Sequence, residues 1–285
     1  MANKIIADFH VHTDCSDGIF SPGEVVRLAA AAGLNMLAIT DHDTLEGVAE
    51  AEICGRRLGV EIVAGVEMSA YHGEEEFHII GLYVDSTDVA FLEKLNDFRE
   101  ARRGRIFEIV EKLKEVGVEL DGDEILDLTK GGSATRAHVA HALVDNGYVS
   151  NLNEAFSMYV GDSGPGFVPK KYMTVEEVIV QIRNVGGVSI LAHPGLTDRD
   201  GYIPLFVEMG LNGLEAFYPT YSTVQTRHYL DMARRMKLLV SGGSDFHGKH
   251  RYNSPLGRVL VPEVFVRKIT AAACLLPGAA GDQEQ

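Results

Sequence analysis

A chain of 285 residues is long enough for one large core, or one core with a small satellite domain. Its 46% hydrophobic and 24% charged residues exclude a structureless polypeptide. The formal net charge of −15 excludes a global basic field able to grip duplex DNA, so any nucleic-acid contact has to be local. Cys15, Cys54 and Cys274 share no disulfide or metal-type spacing, and residues 1–10 lack a basic start followed by an apolar stretch, so a reducing, cytoplasmic setting is expected. Gln181, Arg183, Asn184 and two glycines interrupt the apolar stretch 178–192, which falls short of the ~20 residues a membrane helix needs. No membrane or protein partner is expected.

From the N-terminus, short β-branched runs alternate with helical periodicity: a strand at 5–9, a helix at 22–32, a strand at 36–40, a helix at 45–58 and a strand at 60–66. This rhythm predicts parallel strands joined by crossover helices. After a strand at 77–84 the rhythm stops, and residues 91–165 hold only helical segments, at 98–116, 123–128, 136–146 and 152–160. They read as a helical insertion. The alternation then resumes with helices at 175–184, 204–209 and 222–236 and strands at 188–192, 213–217 and 238–241. The domain reading is a discontinuous barrel (1–90 and 166–275), a helical subdomain (91–165) and a flexible tail (276–285). About seven strands fall short of the eight of a standard (β/α) barrel, and their regularity favours a distorted barrel over an open sheet.

Metal-type side chains follow the strands. His10 and His12 end the first strand, and residues two apart on a strand share a face, so both imidazoles are able to reach one ion. Alone, a His-x-His pair is weak, but Asp245 and His247 repeat the spacing at the last strand. Asp41-His42-Asp43 ends the second strand, where the two aspartates also fit an ordinary Asx turn. Glu67 follows the run 62–66, and a hairpin around His72–Gly73 would set it nearly opposite His78, itself otherwise a satisfied surface histidine. His193 closes the strand 188–192 at the solvent-facing mouth, where packing explains a histidine poorly.

The ordered runs FHVHTDCSDG, AITDHDT, GVEMS, FHIIGLY, LAHPG and GSDFHG closely resemble the PHP family, named for polymerase and histidinol phosphatase domains. The resemblance covers nearly the whole chain. It implies a distorted seven-stranded barrel, two or three divalent ions (manganese, zinc or iron) and phosphoester hydrolysis. The family pattern makes His10, His12, Glu67 and Asp245 ligands of one ion, Glu67, His78 and His193 of a second, and Asp17, His42 and His247 of a third. Several members carry histidine where this chain has Asp17, which points to a weaker third site or a harder ion there.

A finer resemblance is to the branch acting on nucleoside 3′,5′-bisphosphates and, in some members, trimming RNA from its 5′ end. That branch shares a motif like Ala134-Thr135-Arg136-Ala137-His138 and a segment like Gly166-Phe167-Val168-Pro169, with Ala137 replacing the usual proline. Candidate substrate contacts are Arg136, His138, Asp43 and Lys170; candidate catalytic residues are Glu67, Asp245 and His193. Arg136 also fits a structural role at a helix start. Arg99, Arg102, Arg103 and Arg105 form either a phosphate patch or, the favoured reading, a solvated helix face. The expected substrate is a small nucleotide, with short RNA as an extension. Two alternatives stand beside it: a histidinol-phosphate-type phosphatase, and a metal-stabilised binding module without catalysis.

Overall fold

The computed structural model describes residues 4–129, 132–169, 173–248 and 254–276. Seven strands form one sheet in chain order: β1 (Ala7–Asp8), β2 (Met36–Ile39), β3 (Glu61–His72), β4 (Glu75–Leu82), β5 (Val188–Leu191), β6 (Gly213–Phe217) and β7 (Leu239–Gly242). The ring closes where Phe9 N–H donates to the Gly242 carbonyl (3.2 Å) and Val11 bridges Phe246 in parallel. Closure leaves little room at this seam, since a Cβ on Gly243 would lie 2.4 Å from that of His10. The molecule is therefore a distorted seven-stranded α/β barrel. The parallel rhythm fails at one strand: β4 runs antiparallel to both β3 and β5. The tight turn at Gly73, with φ +63°, forces that reversal.

Strands β2 and β5 are short apolar runs, MLAI and VSIL, buried on both faces as expected beneath covering helices. Helices α1 (Pro22–Ala31), α2 (Glu46–Leu58), α7 (Val175–Asn184), α8 (Ile203–Glu208) and α9 (Thr223–Met236) cover the outside. Capping boxes at Ser21/Glu24, Thr174/Glu177 and Ser222/Gln225 start α1, α7 and α9. A helix the periodicity did not suggest, α10 (Glu263–Ala273), packs Val266, Ile269 and Ala273 against Ala7, Phe9, Ile80 and Ile190 of the barrel.

Between β4 and α7 lie α3 (Val89–Lys114), α4 (Gly122–Asp127), α5 (Arg136–Asp145) and α6 (Leu152–Ala155), the last running into a π-turn at Phe156–Val160. α3 begins nine residues earlier than its expected start at 98, capped by Asp88, whose carboxylate accepts from Phe91 N–H (2.8 Å). Its first half sends Phe91, Leu95 and Phe98 into the barrel's core. Its second half sends Ile106, Ile109 and Leu113 into a separate cluster with Ile125, Val139, Leu143 and Val160. The change of partner falls between Phe98 and Ile106. Lys170 and all of the expected tail except Leu276 lie outside the described residues.

Candidate metal centre

The barrel's strand ends gather the acid and imidazole side chains. His10 and His12 follow β1, His42 follows β2, His193 follows β5, and Asp245 and His247 follow β7. Backbone pairing continues past the end of β2: Glu67 N–H donates to the Asp41 carbonyl (3.1 Å) and Asp43 N–H to that of Glu67 (3.0 Å). This fixes His42 beside Glu67. In the β3–β4 hairpin Glu67 stands opposite Ile80 and His78 opposite Ser69, so Glu67 and His78 meet as diagonal neighbours on one face. Asp43, His193 and Asp245 hold φ of 50°, 28° and 48°, left-handed conformations uncommon for residues other than glycine.

Around the innermost position, His10 Nε2, His12 Nε2, Glu67 Oε2 and Asp245 Oδ1 form a compact set. The two imidazole nitrogens are 3.1 Å apart; Glu67 Oε2 is 3.3 and 3.2 Å from them, and Asp245 Oδ1 is 3.4 and 3.3 Å away. A tetrahedral ion with bonds of about 2.0 Å sets its ligands about 3.3 Å apart, so these donors have the spacing of a coordination shell. The other oxygen of Glu67, Oε1, lies 2.9 Å from His78 Nδ1 and 3.0 Å from His193 Nε2. One carboxylate thus faces two groups of imidazoles. A third group gathers at Asp17, whose Oδ1 is 3.1 Å from His247 Nε2 and whose Oδ2 is 3.8 Å from His42 Nε2; His12 stacks on His247 beside it.

Among the described residues, Nδ1 of His12 and His193 is buried with no hydrogen-bond partner, and that of His42 lies 3.2 Å from Glu67 Oε2 without forming a hydrogen bond. So dense a group of buried donors, several unpartnered, is poorly explained by packing alone and fits divalent ions bound through mixed imidazole and carboxylate ligands. The electrostatics agree. Burial disfavours a charge on Glu67, but His42, His78 and His10 outweigh it and hold its carboxyl well below the usual range; His247 and His42 do the same for Asp17. Burial likewise opposes a proton on His12, yet hydrogen bonds to Asp245 and Glu67, with the charges of Glu67 and Asp17, push its pKa up to about 9. His42 departs from this pattern, because burial keeps its pKa well below the ordinary imidazole value.

Glu215, Tyr218 and Asp41 support this set from behind, and only Asp41 belongs to a motif read from the sequence. Glu215, fully buried, sets Oε1 3.1 Å from His10 Nδ1 and accepts the backbone N–H of His193 on Oε2 (2.8 Å), orienting the His10 ring and fixing the His193 backbone at once. A glutamate inside the apolar run GLEAF was the available signal. The Tyr218 hydroxyl donates to Asp245 Oδ2 (2.6 Å), leaving Oδ1 for the inner set. Asp41 makes no local Asx turn: it accepts Thr13 N–H (2.7 Å), the Thr13 hydroxyl (2.6 Å) and the Ser16 hydroxyl (2.6 Å), clamping the loop that carries Asp17.

The insertion reaches this centre through the start of α5. Ser133 N–H donates to the Cys15 carbonyl (2.9 Å), and the N-cap hydroxyl of Thr135 donates to Asp17 Oδ2 (3.3 Å). His138, the third residue of that helix, accepts Thr135 N–H on Nδ1 (3.0 Å), which leaves the proton of the neutral ring on Nε2; burial lowers its pKa. Arg136 is directed elsewhere, donating to Asp162 (2.6 Å) and the Val160 carbonyl (3.2 Å) and lying over the Phe167 ring. Asp43, expected to touch substrate, is instead buried and held by Arg102 (2.6 Å) and Ser69 N–H (3.2 Å), so both its oxygens are taken inside the protein. The solvated-face expectation for the arginines also fails at two positions. Arg102 and Arg105 are buried, and Arg105 donates twice to the Val168 carbonyl (2.8 and 2.6 Å).

Comparison with known proteins adds to this geometry. Residues 8–166 match the PHP domain family model. The chain is 36% identical to a 5′-3′ exoribonuclease of Haemophilus influenzae, over 84% of this chain and 89% of that protein. It is 33% identical to a phosphoribosyl 1,2-cyclic phosphate 1,2-diphosphodiesterase of Eggerthella lenta (86% and 95%). It is 32% identical to a 3′,5′-nucleoside bisphosphate phosphatase of Chromobacterium violaceum (84% and 86%). Among solved structures, a candidate metal-dependent phosphoesterase of Bifidobacterium adolescentis superposes with a TM-score of 0.86 at 30% identity, covering 93% of this chain and 96% of that one. On its motifs, its closed barrel and these similarities, the chain belongs to the PHP domain family.

Proposed function

We propose that this PHP protein is a metal-dependent phosphoesterase that removes the 3′-phosphate of a nucleoside 3′,5′-bisphosphate and leaves the 5′-phosphate in place. The observation that carries the reading is the contact between Thr135 and Asp17, which joins the helix start bearing Arg136 and His138 to the ligand cluster. In this reading His10, His12, Glu67 and Asp245 hold one ion, Glu67, His78 and His193 a second, and Asp17, His42 and His247 a third. When bound, such ions lower the pKa of a water and neutralise charge on a phosphoryl group.

The chain's own residues do the rest. Glu67 holds the two inner groups in register through its separate oxygens, and Glu215 keeps the His10 ring aimed and the His193 backbone in place. Asp245, with Oδ2 engaged by Tyr218, serves as a ligand rather than as a base. His138 offers an Nε2–H donor to a phosphate oxygen, and Arg136 exchanges its exposed partner Asp162 for the second phosphate. The helical segment 91–165 acts in this scheme as the arm that carries the remote phosphate site. Anchoring there positions the reacting phosphoryl group as well as raising affinity.

A second reading is favoured by the exoribonuclease similarity: with the same anchored 5′-phosphate, the bond broken is the first P–O3′ linkage of a short RNA. Both reactions break a phosphoester at O3′ beside a held 5′-phosphate.

Phosphate or nucleotide release from a nucleoside 3′,5′-bisphosphate, a 5′-phosphorylated trinucleotide RNA, a ribose cyclic phosphate and histidinol phosphate, each with the manganese-loaded protein, tests this. The bisphosphate is expected to be turned over best. Arg136→Ala should lower its kcat/KM by ~10²-fold, the scale of a charge-assisted contact, while barely affecting a nucleoside 3′-monophosphate. Equal losses on the two substrates, or release of the 5′-phosphate, would overturn the binding direction.

A further inference from the structure

Arg102 sits where α3 passes from the barrel's core to the insertion's core, yet it is almost wholly buried, at 1% exposure. Its guanidinium reaches three separate segments. Nε and Nη2 lie 2.6 Å from Asp43 Oδ2, Nη2 donates to the Ser69 hydroxyl (3.1 Å), and Nη1 donates to the Ala134 carbonyl (3.2 Å). Two of these partners stand close in the chain to a residue of the third ligand group or to the shared carboxylate, and the third adjoins a residue that contacts Asp17. Asp43 adjoins His42; Ser69 is two residues beyond Glu67 on the same face of β3; Ala134 precedes Thr135, whose hydroxyl contacts Asp17.

We infer that Arg102 is a positioning residue that couples docking of the helical insertion to the integrity of the Asp17–His42–His247 ion site. The physical basis is the shape of the side chain. A guanidinium is a rigid planar fork with donors fixed in direction, so three partners engaged at once are held in one mutual arrangement. An ammonium has the charge without that geometry. The strained φ of +50° at Asp43 persists because Arg102, Ser69 and the Glu67 carbonyl together over-determine it. Releasing the fork frees Asp43 to relax, turning His42, and loosens the 132–135 segment that touches Asp17. The inner set shares only Glu67 with these segments, while His10, His12 and Asp245 follow other strands, so the effect falls first on the third site. The inference rests on the metal reading of the cluster and is independent of which phosphoester is hydrolysed.

The test uses the full-length protein, stripped of ions and titrated with Mn²⁺, in the wild type, Arg102→Lys, Arg102→Met and Asp43→Asn. Ion binding is followed by elemental analysis and by the paramagnetic signal of free Mn²⁺, with amide hydrogen exchange recorded in parallel. In all three variants we expect the weakest class of Mn²⁺ sites to lose at least about tenfold in affinity, on the scale measured for residues that orient metal ligands, while the tighter classes keep theirs. Exchange should rise at residues 13–18 and 132–138 and not in β5–β7. Failure of lysine to rescue is part of the expectation, because charge alone is not the device.

Uniform weakening of all Mn²⁺ classes with a global rise in exchange would make Arg102 a plain stabilising residue and overturn the inference, as would unchanged binding. A wild type with no third Mn²⁺ class would overturn both this inference and the three-ion reading, and is seen without any variant. Should Arg102→Met not fold, Asp43→Asn, which keeps the volume and the arginine, decides between the same two outcomes.

Discussion

At the scale of single residues, the cluster depends on side chains buried behind it. Glu215 is the clearest: its two oxygens serve the His10 ring and the backbone of His193, which stand on opposite sides of Glu67's carboxylate, His10 near Oε2 and His193 near Oε1. Carboxylates that hold a ligating histidine through its far nitrogen set the ring's tautomer and basicity, and losing one typically costs ~10–100-fold in metal affinity. Glu215→Gln keeps the shape but not the charge, so a loss toward the lower end of that range is expected at the inner site, with the barrel still folded. Competition with a chelating dye checks it, and an unchanged affinity would remove Glu215 from the centre. The same attention to partners explains Asp43. Its neighbour His42 signalled a site, but its own carboxylate answers to an arginine 59 residues away, a pairing no local motif reveals.

At the scale of elements, α3 belongs to two cores. Its early apolar residues fit the barrel and its later ones the insertion, so a break in the insertion's core should be felt locally before it reaches the strands. Ile109 is fully buried in the second cluster. Truncating it to alanine should cost ~2–5 kcal/mol of insertion stability, the range for large-to-small changes in a packed core. Denaturant unfolding with residue-level hydrogen exchange checks this: protection should fall across residues 106–160 and hold in β5–β7. Equal loss in both regions would show that the two cores unfold as one. The early start of α3 was carried by Phe91, Leu95 and Phe98 at i, i+4 and i+7 and by the Asp88 cap, so its first turns lie within what local pattern can encode. The reversal of β4 was likewise prefigured by His72–Gly73.

At the scale of the whole molecule, the gathered histidines and carboxylates link stability to pH. The folded pKa of His12, about 9, lies above the ordinary 6.5. Its contribution to the ion-free protein is therefore fully present below about pH 6.5 and is lost as pH rises through about 9. Glu67 and Asp17 act in the opposite sense: their depressed values contribute above the ordinary carboxylate range, and that contribution is lost as pH falls through the lowered pKa. Metal ions compete with protons for the same atoms, so their binding strengthens as pH rises. The Tm of the chelator-treated protein should fall by several °C between about pH 6.5 and 9, while the stabilisation on adding Mn²⁺ grows over the same interval. Thermal melts with and without the ion measure both; a Mn²⁺ effect that shrinks with rising pH would sink this linkage. Among the described residues no helix is long and apolar enough to cross a membrane.

Local pattern along the chain encodes the strand–helix rhythm, the helical break after the fourth strand, and the histidines and acids at strand ends, because period and motif are properties of neighbouring residues. The tertiary structure decided which of those polar residues share one place and which are held within the fold. Closure of the barrel brings His10 against Glu215, 205 residues away, and sets Glu67 between two groups of imidazoles. Packing of the segments around Ala134 and Val168 on α3 also buried Arg102 and Arg105, which a helical pattern alone assigns to solvent. Whether a charge is exposed, paired or ready to meet a ligand depends on the partner across the fold, and that partner is set by packing, not by spacing along the chain.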